Sequence, residues 1–138
     1  MREGTIAEQR NNDVVKAFFD GIKGLGQHSV TENDIIRSIM RNGAPRFYVT
    51  YEKASRFVSM IERGKELPLT NPNKVAMYRE LHRRYRTFAA EHGCTGYKIL
   101  EDIILEPAPS FYMELKTFLD IVYKHYKNRK IKTVCPLS

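Results

Sequence analysis

A row of arginines between residues 79 and 86 is the part of this sequence best suited to binding a charged ligand. Arg79, Arg83 and Arg86 recur at i, i+4 and i+7 spacing, with His82 and Arg84 on the flanks. On a helix this spacing places three like charges on one face, where each pair costs about 0.2–0.5 kcal/mol. Nucleic-acid phosphates would offset that repulsion, and so would carboxylates on a neighbouring helix. The sequence leaves both alternatives open.

Two further segments concentrate positive charge. Lys53, Arg56 and Arg63 share the outer face of a predicted helix, where they form either a solvated surface or a phosphate-contacting ridge. Near the end of the chain, basic residues alternate with Tyr123, His125 and Tyr126, in a cluster larger than helix capping requires. We therefore predict nucleic-acid contacts at Arg79, Arg83, Arg84, Arg86, Lys124, Lys127, Arg129, Lys130 and Lys132.

Catalytic and metal chemistry have little support in the sequence. His92 and Cys94 could supply two metal ligands, but a structural zinc site needs four and no second pair has suitable spacing. The acidic residues Glu101, Asp102 and Glu106 could do acid–base work, or could pair with the arginine row. No nucleophile lies next to a base in the local sequence. We expect no metal, no cofactor and no enzymatic activity.

A five-residue motif, Ala-Pro-x-Phe-Tyr, occurs twice, at residues 44–48 and 108–112. Proline fixes its own φ and pushes the preceding residue out of the α region, so a helix must end at each motif. Each motif is predicted to form a rigid elbow between two helices. Its aromatic residues either stack on nucleobases or pack in the core, and packing is the more common use of aromatic side chains. The elbow residues are Pro45, Phe47, Tyr48, Pro109, Phe111 and Tyr112.

Apolar spacing around the two motifs predicts an all-α fold of about six helices. Helix-elbow-helix repeats over about 31–62 and 95–126 flank a central basic helix that runs from Asn71-Pro72 to about His92. A first helix is expected over 13–23 with Asp13 as its N-cap, and a helix from about Tyr97 to Leu105 opens the second repeat. Thr31 and Thr95 can cap the first helix of each repeat, and Thr50 can cap a helix from Tyr51 to about Arg63. The last helix is expected from about Met113 to Lys130. One domain spans 1–138, with flexible tails at 1–10 and 131–138.

The net charge of +7 is unevenly distributed over the 138 residues. Residues 1–34 and 95–120 are predominantly acidic, whereas 35–65, 74–86 and 124–132 are basic, as expected of a surface that faces an anionic partner. No apolar run is long enough to cross a bilayer, and the first residues lack the apolar core of a secretory signal. We expect a cytoplasmic protein, or one inside a phage particle assembled in the cytoplasm, and no membrane partner.

The two elbows and the central segment Asn71-Pro72-Asn73-Lys74-x-x-Met77-Tyr78-x-x-Leu81 resemble small proteins of Bacteroides-type gut bacteria, their phages and their mobile elements. The resemblance covers about residues 30–127. It implies a genomic setting of phage or mobile-element origin and no particular reaction.

Two functions follow as hypotheses. The first is a non-enzymatic nucleic-acid-associated module whose helix pairs resemble helix-turn-helix units and contact phosphates without strong sequence specificity, with DNA favoured over RNA. The alternative is a structural or assembly subunit of a virion or of mobile-element machinery, in which the basic surface faces an acidic protein partner. Such a subunit would form a homo-oligomer or join a larger assembly.

Overall fold

Helices dominate the computed structural model, which describes residues 5–25, 32–93 and 96–132. Six α-helices follow one another, with a 3₁₀ turn at Tyr97–Ile99 and no β-strand within the described ranges. Their bounds are α1 Ile6–Leu25, α2 Glu32–Arg41, α3 Tyr51–Glu62, α4 Pro72–His92, α5 Leu100–Ile103 and α6 Leu115–Lys132. The predicted all-α class with about six helices is confirmed, and the tandem repeat of helix pairs stays a prediction.

The chain divides into two compact units. Unit 1 combines Met1–Gly43 with Met113–Ser138, and in it α1 packs against α2 and α6 while α2 also contacts α6. Unit 2 is Ala44–Tyr112, in which α4 packs against α3 and α5. The prediction of a single domain over 1–138 is not tested by this division. The fully buried large side chains of the two units are Val14, Ile36, Phe118 and Val122 in unit 1 and Phe47, Val58, Leu81 and Leu100 in unit 2.

The first helix begins earlier than the apolar spacing predicts. Thr5 and Glu8 form a reciprocal capping box, in which the Thr5 backbone N–H donates to Glu8 Oε1 and the Glu8 N–H donates to Thr5 Oγ1, both at 3.0 Å. Thr5 is therefore the N-cap and the prediction of Asp13 in that role is wrong. Residues 6–10, predicted as part of a flexible tail, are the first turns of α1.

Caps predicted around α3 and α4 are confirmed. Thr50 accepts a hydrogen bond from the Lys53 backbone N–H, and the Asn71 side chain accepts one from Asn73 ahead of Pro72 at the first helical position. Gly93 ends α4 in the left-handed conformation with φ of 68°. The predicted caps Thr31 and Thr95 lie outside the described residues.

The helix predicted from Tyr97 to Leu105 is shorter and less regular than expected. After the 3₁₀ turn, α5 makes one α-helical turn, and then the backbone N–H groups of Leu105 and Glu106 donate to carbonyls three residues earlier. The two prolines at 107 and 109 explain this ending, because each disfavours α conformation in the residue before it. The last helix extends two residues beyond the predicted end, through Lys132, so 131–132 are helical and the rest of the predicted tail lies outside the described residues.

The two Ala-Pro-x-Phe-Tyr elbows pair with each other inside unit 2. Ala44 and Ala108 exchange both backbone hydrogen bonds at 2.9 Å in an antiparallel bridge. The aromatic residues then stack crosswise, Phe47 on Tyr112 with ring centroids 6.1 Å apart and Tyr48 on Phe111 at 6.0 Å. Phe47 is fully buried and Phe111 is 4% exposed. These two rings are packed in the core, which favours the packing interpretation of the motif over base stacking.

Candidate nucleic-acid interface

The arginine row lies on the exposed face of α4. Apolar residues on the opposite face, Met77, Tyr78, Leu81 and Tyr85, are buried and orient the helix. Arg79, Arg83 and Arg86 are exposed, as their spacing predicts. The side chains of Arg83 and Arg86 are 66% and 64% exposed, so both guanidinium groups can reach a ligand in solution.

Carboxylates within unit 2 pair with two members of this row. Arg83 forms a two-point ion pair with Glu80 on its own helix, at 3.0 and 2.6 Å. Arg86 Nη1 lies 3.3 Å from Glu62 Oε2 on α3. Arg79 has no ion pair with any described residue. Protein carboxylates thus offset part of the repulsion along the row. Glu62 is a carboxylate on a neighbouring helix, as one of the two alternatives has it, whereas Glu80 lies on α4 itself, and Arg79 is left with its full charge.

Arg84 turns toward the elbow and away from the exposed face. Its Nε donates to Glu80 at 2.8 Å, and its Nη1 donates to Glu106 at 3.2 Å and to the Pro107 carbonyl at 3.0 Å. Its guanidinium carbon also lies 4.9 Å from the centre of the buried Phe47 ring, a cation–π distance. With a side chain only 23% exposed, Arg84 supports the paired elbows, and we leave it out of the candidate contact surface.

Two carboxylates hold these arginines in place. The hydrogen bond from Arg83 is the main reason that the pKa of Glu80 is lowered. The hydrogen bond from Arg84 and the positive charges of both arginines add to this effect, whereas partial burial opposes it. A hydrogen bond from His82 Nε2, 2.8 Å from Glu62 Oε2, is the main reason that the pKa of Glu62 is lowered, and Arg86 adds to it. Both groups are therefore ionised at neutral pH.

The ridge of basic residues on α3 is exposed. Lys53, Arg56 and Arg63 have no ion pair with any described residue. Arg56 lies over the Phe57 ring at 5.2 Å, and Arg63 Nε donates to the Ser59 carbonyl of its own helix at 3.4 Å. Neither contact neutralises the charge. Unit 2 therefore carries unneutralised cations on α3 as well as at Arg79.

Helices α3 and α4 pack side by side and bring these cations into one unit. Phe57 packs against Tyr78 with ring centroids 4.6 Å apart, and Glu62 pairs with His82 and Arg86. A turn-rich linker that includes Pro68 joins the two helices.

The basic cluster on α6 belongs to unit 1. Lys124 and Lys127 are exposed and have no ion pair with any described residue. The backbone of α6 continues through Arg129, Lys130 and Lys132, whose side chains lie outside the described part of the chain. These five predicted contact residues are thus in a different unit from the arginine row.

Sequence reasoning missed the two carboxylates that pair with the row. It named Glu101, Asp102 and Glu106 as possible partners, and among the described contacts only Glu106 reaches an arginine. Glu80 stands three residues before Arg83 and four before Arg84, a helical spacing that favours ion pairs and could have identified it. Glu62 reaches His82 and Arg86 only through the packing of α3 on α4, for which the sequence holds no local signal.

Neither a metal centre nor a membrane span is found in the described ranges. No group of three or more His, Cys, Asp or Glu side chains there is arranged to hold a metal ion, and no helix there is long and apolar enough to cross a bilayer. His92, which with Cys94 could supply only two of the four ligands of a zinc site, packs its ring against Phe88 with centroids 4.1 Å apart, and Cys94 lies outside the described residues. Comparison with protein-family models, with curated proteins and with solved structures yields no match to this chain.

Proposed function

We propose that the protein is a non-enzymatic module that binds nucleic acid through its phosphates, without strong sequence specificity. The observation that carries the proposal is the set of exposed cations on α3 and α4 that have no ion pair with any described residue: Lys53, Arg56, Arg63 and Arg79. We define these four residues as the basic face. Cations of this kind are surrounded by water in the free protein and can bind phosphates without first breaking an internal ion pair.

Arg83 and Arg86 extend the basic face. Each arginine is about two-thirds exposed, whereas the carboxylates of Glu80 and Glu62 are only 18% and 26% exposed. A phosphate can replace either carboxylate as the partner of its arginine, because Glu80 would keep Arg84 and Glu62 would keep His82. Part of their charge is neutralised in the free protein, so we expect each to contribute less to binding than a residue of the basic face.

Phosphate contacts carry no sequence information, which is the basis for proposing weak specificity. Binding to phosphates releases condensed counterions, so the logarithm of the affinity should fall linearly with the logarithm of the salt concentration, with a slope of about −0.9 per contact on duplex DNA. DNA as the preferred partner, and an origin in a phage or mobile element, are parts of the proposal that come from the sequence alone.

The test compares duplex binding by two variants across a salt series. Arg56→Ala/Arg63→Ala/Arg79→Ala removes three cations of the basic face, and we expect its log–log slope to be shallower by up to about three units. Arg83→Ala/Arg86→Ala removes two paired cations and should change the slope less. Lys98→Ala, an exposed lysine on the 3₁₀ turn, is the control for loss of a single charge. A matched RNA duplex tests the preference for DNA.

Two results would contradict the proposal. One is the absence of duplex binding by the wild type at low salt, and the other is an unchanged slope in the triple variant. The alternative function, a structural subunit that acts through protein contacts, predicts instead an oligomer whose size does not depend on salt. Light scattering of the same samples at low and high salt measures that property.

A further inference from the structure

Helices α1 and α6 of unit 1 enclose a cleft of about 410 Å³. Such a volume falls within the range of pockets that hold small organic ligands, about 300–1,000 Å³. Val15 from α1 and Ile121 from α6 supply its apolar surface, and polar side chains from both helices surround them. The groups that matter for recognition are Arg10 and Asn11 on α1 and Asp120 and Lys124 on α6.

The α1 side of the cleft presents hydrogen-bond donors. Arg10 Nε and Nη2 both donate to Asn11 Oδ1, at 3.2 and 3.0 Å. This fork occupies the carbonyl oxygen of Asn11, and the amide group that remains is a donor. Arg10 keeps its full charge, since it has no ion pair with any described residue. The α1 side is thus suited to an anionic oxygen.

The α6 side presents one cation and one acceptor. Asp120 and Lys124 are one helical turn apart, yet they form no ion pair with each other or with any other described residue. Lys124 can therefore share an anion with Arg10 across the cleft. Asp120 would repel that anion, but it can accept hydrogen bonds from hydroxyl or N–H groups elsewhere on the same ligand.

We propose that this cleft binds a nucleotide. The phosphate contacts Arg10 and Lys124, the sugar hydroxyls or base N–H groups donate to Asp120, and the apolar surface of Val15 and Ile121 packs against the nucleoside. A bare phosphate would leave Asp120 opposed to a negative charge and would leave the apolar surface unused. The site goes beyond the proposed function because it lies in the other unit and takes a single nucleotide in place of a duplex backbone.

The experiment is an NMR titration of the whole protein with adenosine 5′-monophosphate, inorganic phosphate and adenosine, each at fixed ionic strength. We expect the monophosphate to shift amides of α1 and α6 and to bind more tightly than either part. Arg10→Gln and Lys124→Gln should each raise its Kd about tenfold, since a hydrogen bond to a charged group is lost. Lys16→Gln on α1 and Lys116→Gln on α6 are matched controls outside the cleft and should leave the Kd unchanged.

Asp120→Asn separates a nucleotide from a simple anion. We expect it to weaken binding of the monophosphate and to strengthen binding of inorganic phosphate, because it replaces a charged hydrogen-bond acceptor by a weaker neutral one and also removes a repulsive charge. A single-stranded DNA tetramer without terminal phosphates that shifts the same amides identifies the ligand as a unit of a strand, and a response to the monophosphate alone identifies it as a free nucleotide.

The proposal is overturned if inorganic phosphate binds as tightly as the monophosphate, or if Asp120→Asn strengthens binding of both. It is overturned as well if replacing either control lysine raises the Kd of the monophosphate as much as Lys124→Gln does. It is also overturned if the monophosphate shifts no amide of α1 or α6. The triple variant of the basic face should leave the Kd of the monophosphate unchanged. This last measurement separates failure of the cleft from failure of duplex binding.

Discussion

At the scale of single residues, the arginines that are adjacent in sequence have different surroundings. Arg83 and Arg86 are exposed and paired, Arg79 is exposed and unpaired among the described residues, and Arg84 is held between two carboxylates and an aromatic ring. Their helical positions account for this difference, because Arg84 turns toward the paired elbows, where it meets Glu106, the Pro107 carbonyl and the Phe47 ring. Charge counted along a sequence therefore overestimates the charge offered to a ligand.

Glu80 allows these ion pairs to be tested by pH. Its folded-state pKa is lowered from the ordinary 4.5 by Arg83 and Arg84, so its contribution to stability is present above about pH 4.5 and is lost as pH falls through the lowered pKa. We predict that Glu80→Gln lowers the Tm at pH 7 and that the difference from wild type shrinks as the pH falls below 4.5 and through the lowered pKa. Thermal melts followed by circular dichroism over this range give the measurement.

Glu91→Gln is the control for the pH experiment. Glu91 is exposed on the same helix and has no ion pair with any described residue, so its replacement should leave the Tm nearly unchanged over the same pH range. If Glu80→Gln matches this control at pH 7, the pairs of Glu80 contribute no net stability.

At the scale of elements, the capping box of Thr5 and Glu8 determines where α1 begins. Thr5 and Glu8 satisfy each other's backbone donors before the apolar positions of the helix begin. Residues 6–12 are polar apart from Ile6 and Ala7, so burial alone does not explain why the helix extends over them. The cap supplies the local reason.

Replacement of Thr5 tests this account. Thr5→Ala removes the side-chain acceptor and should lower the free energy of unfolding by about 1 kcal/mol, whereas Thr5→Ser keeps the hydroxyl and should cost much less. Urea denaturation followed by circular dichroism measures both. A Thr5→Ala variant with the stability of wild type would show that α1 does not depend on its cap.

At the scale of the whole molecule, unit 2 is a continuous segment whose two ends meet. Its first residue is bridged to Ala108, and its last, Tyr112, stacks on Phe47. Ends that lie close together are typical of segments that fold as domains. Unit 2 also contains α3 and α4, and therefore the whole basic face.

We predict that a fragment of residues 44–112 folds by itself. It should show helical circular dichroism and a cooperative thermal transition, with a low Tm because a segment of this size buries little surface. It should also keep the salt-dependent duplex binding of the basic face. A fragment with the spectrum of a random coil at low temperature would show that unit 2 depends on the rest of the chain.

The sequence by itself determined most helix boundaries. Thr50, Asn71-Pro72 and Gly93 act on backbone groups within four residues, so their effects can be recognised without knowledge of the fold. A local signal of the same kind stands at Thr5, three residues before Glu8. The exposed face of the arginine row also followed from helical spacing alone.

Only the tertiary structure decided what these elements contact. The repeated motif indicates an offset of 64 residues, but nothing in either copy says that Ala44 bridges Ala108 or that the aromatic rings stack crosswise. Pairing of Glu62 with Arg86 and the cleft between α1 and α6 likewise depend on helix packing. Such contacts join residues far apart in the chain, and their energies depend on which apolar faces are buried together, which a local pattern does not encode.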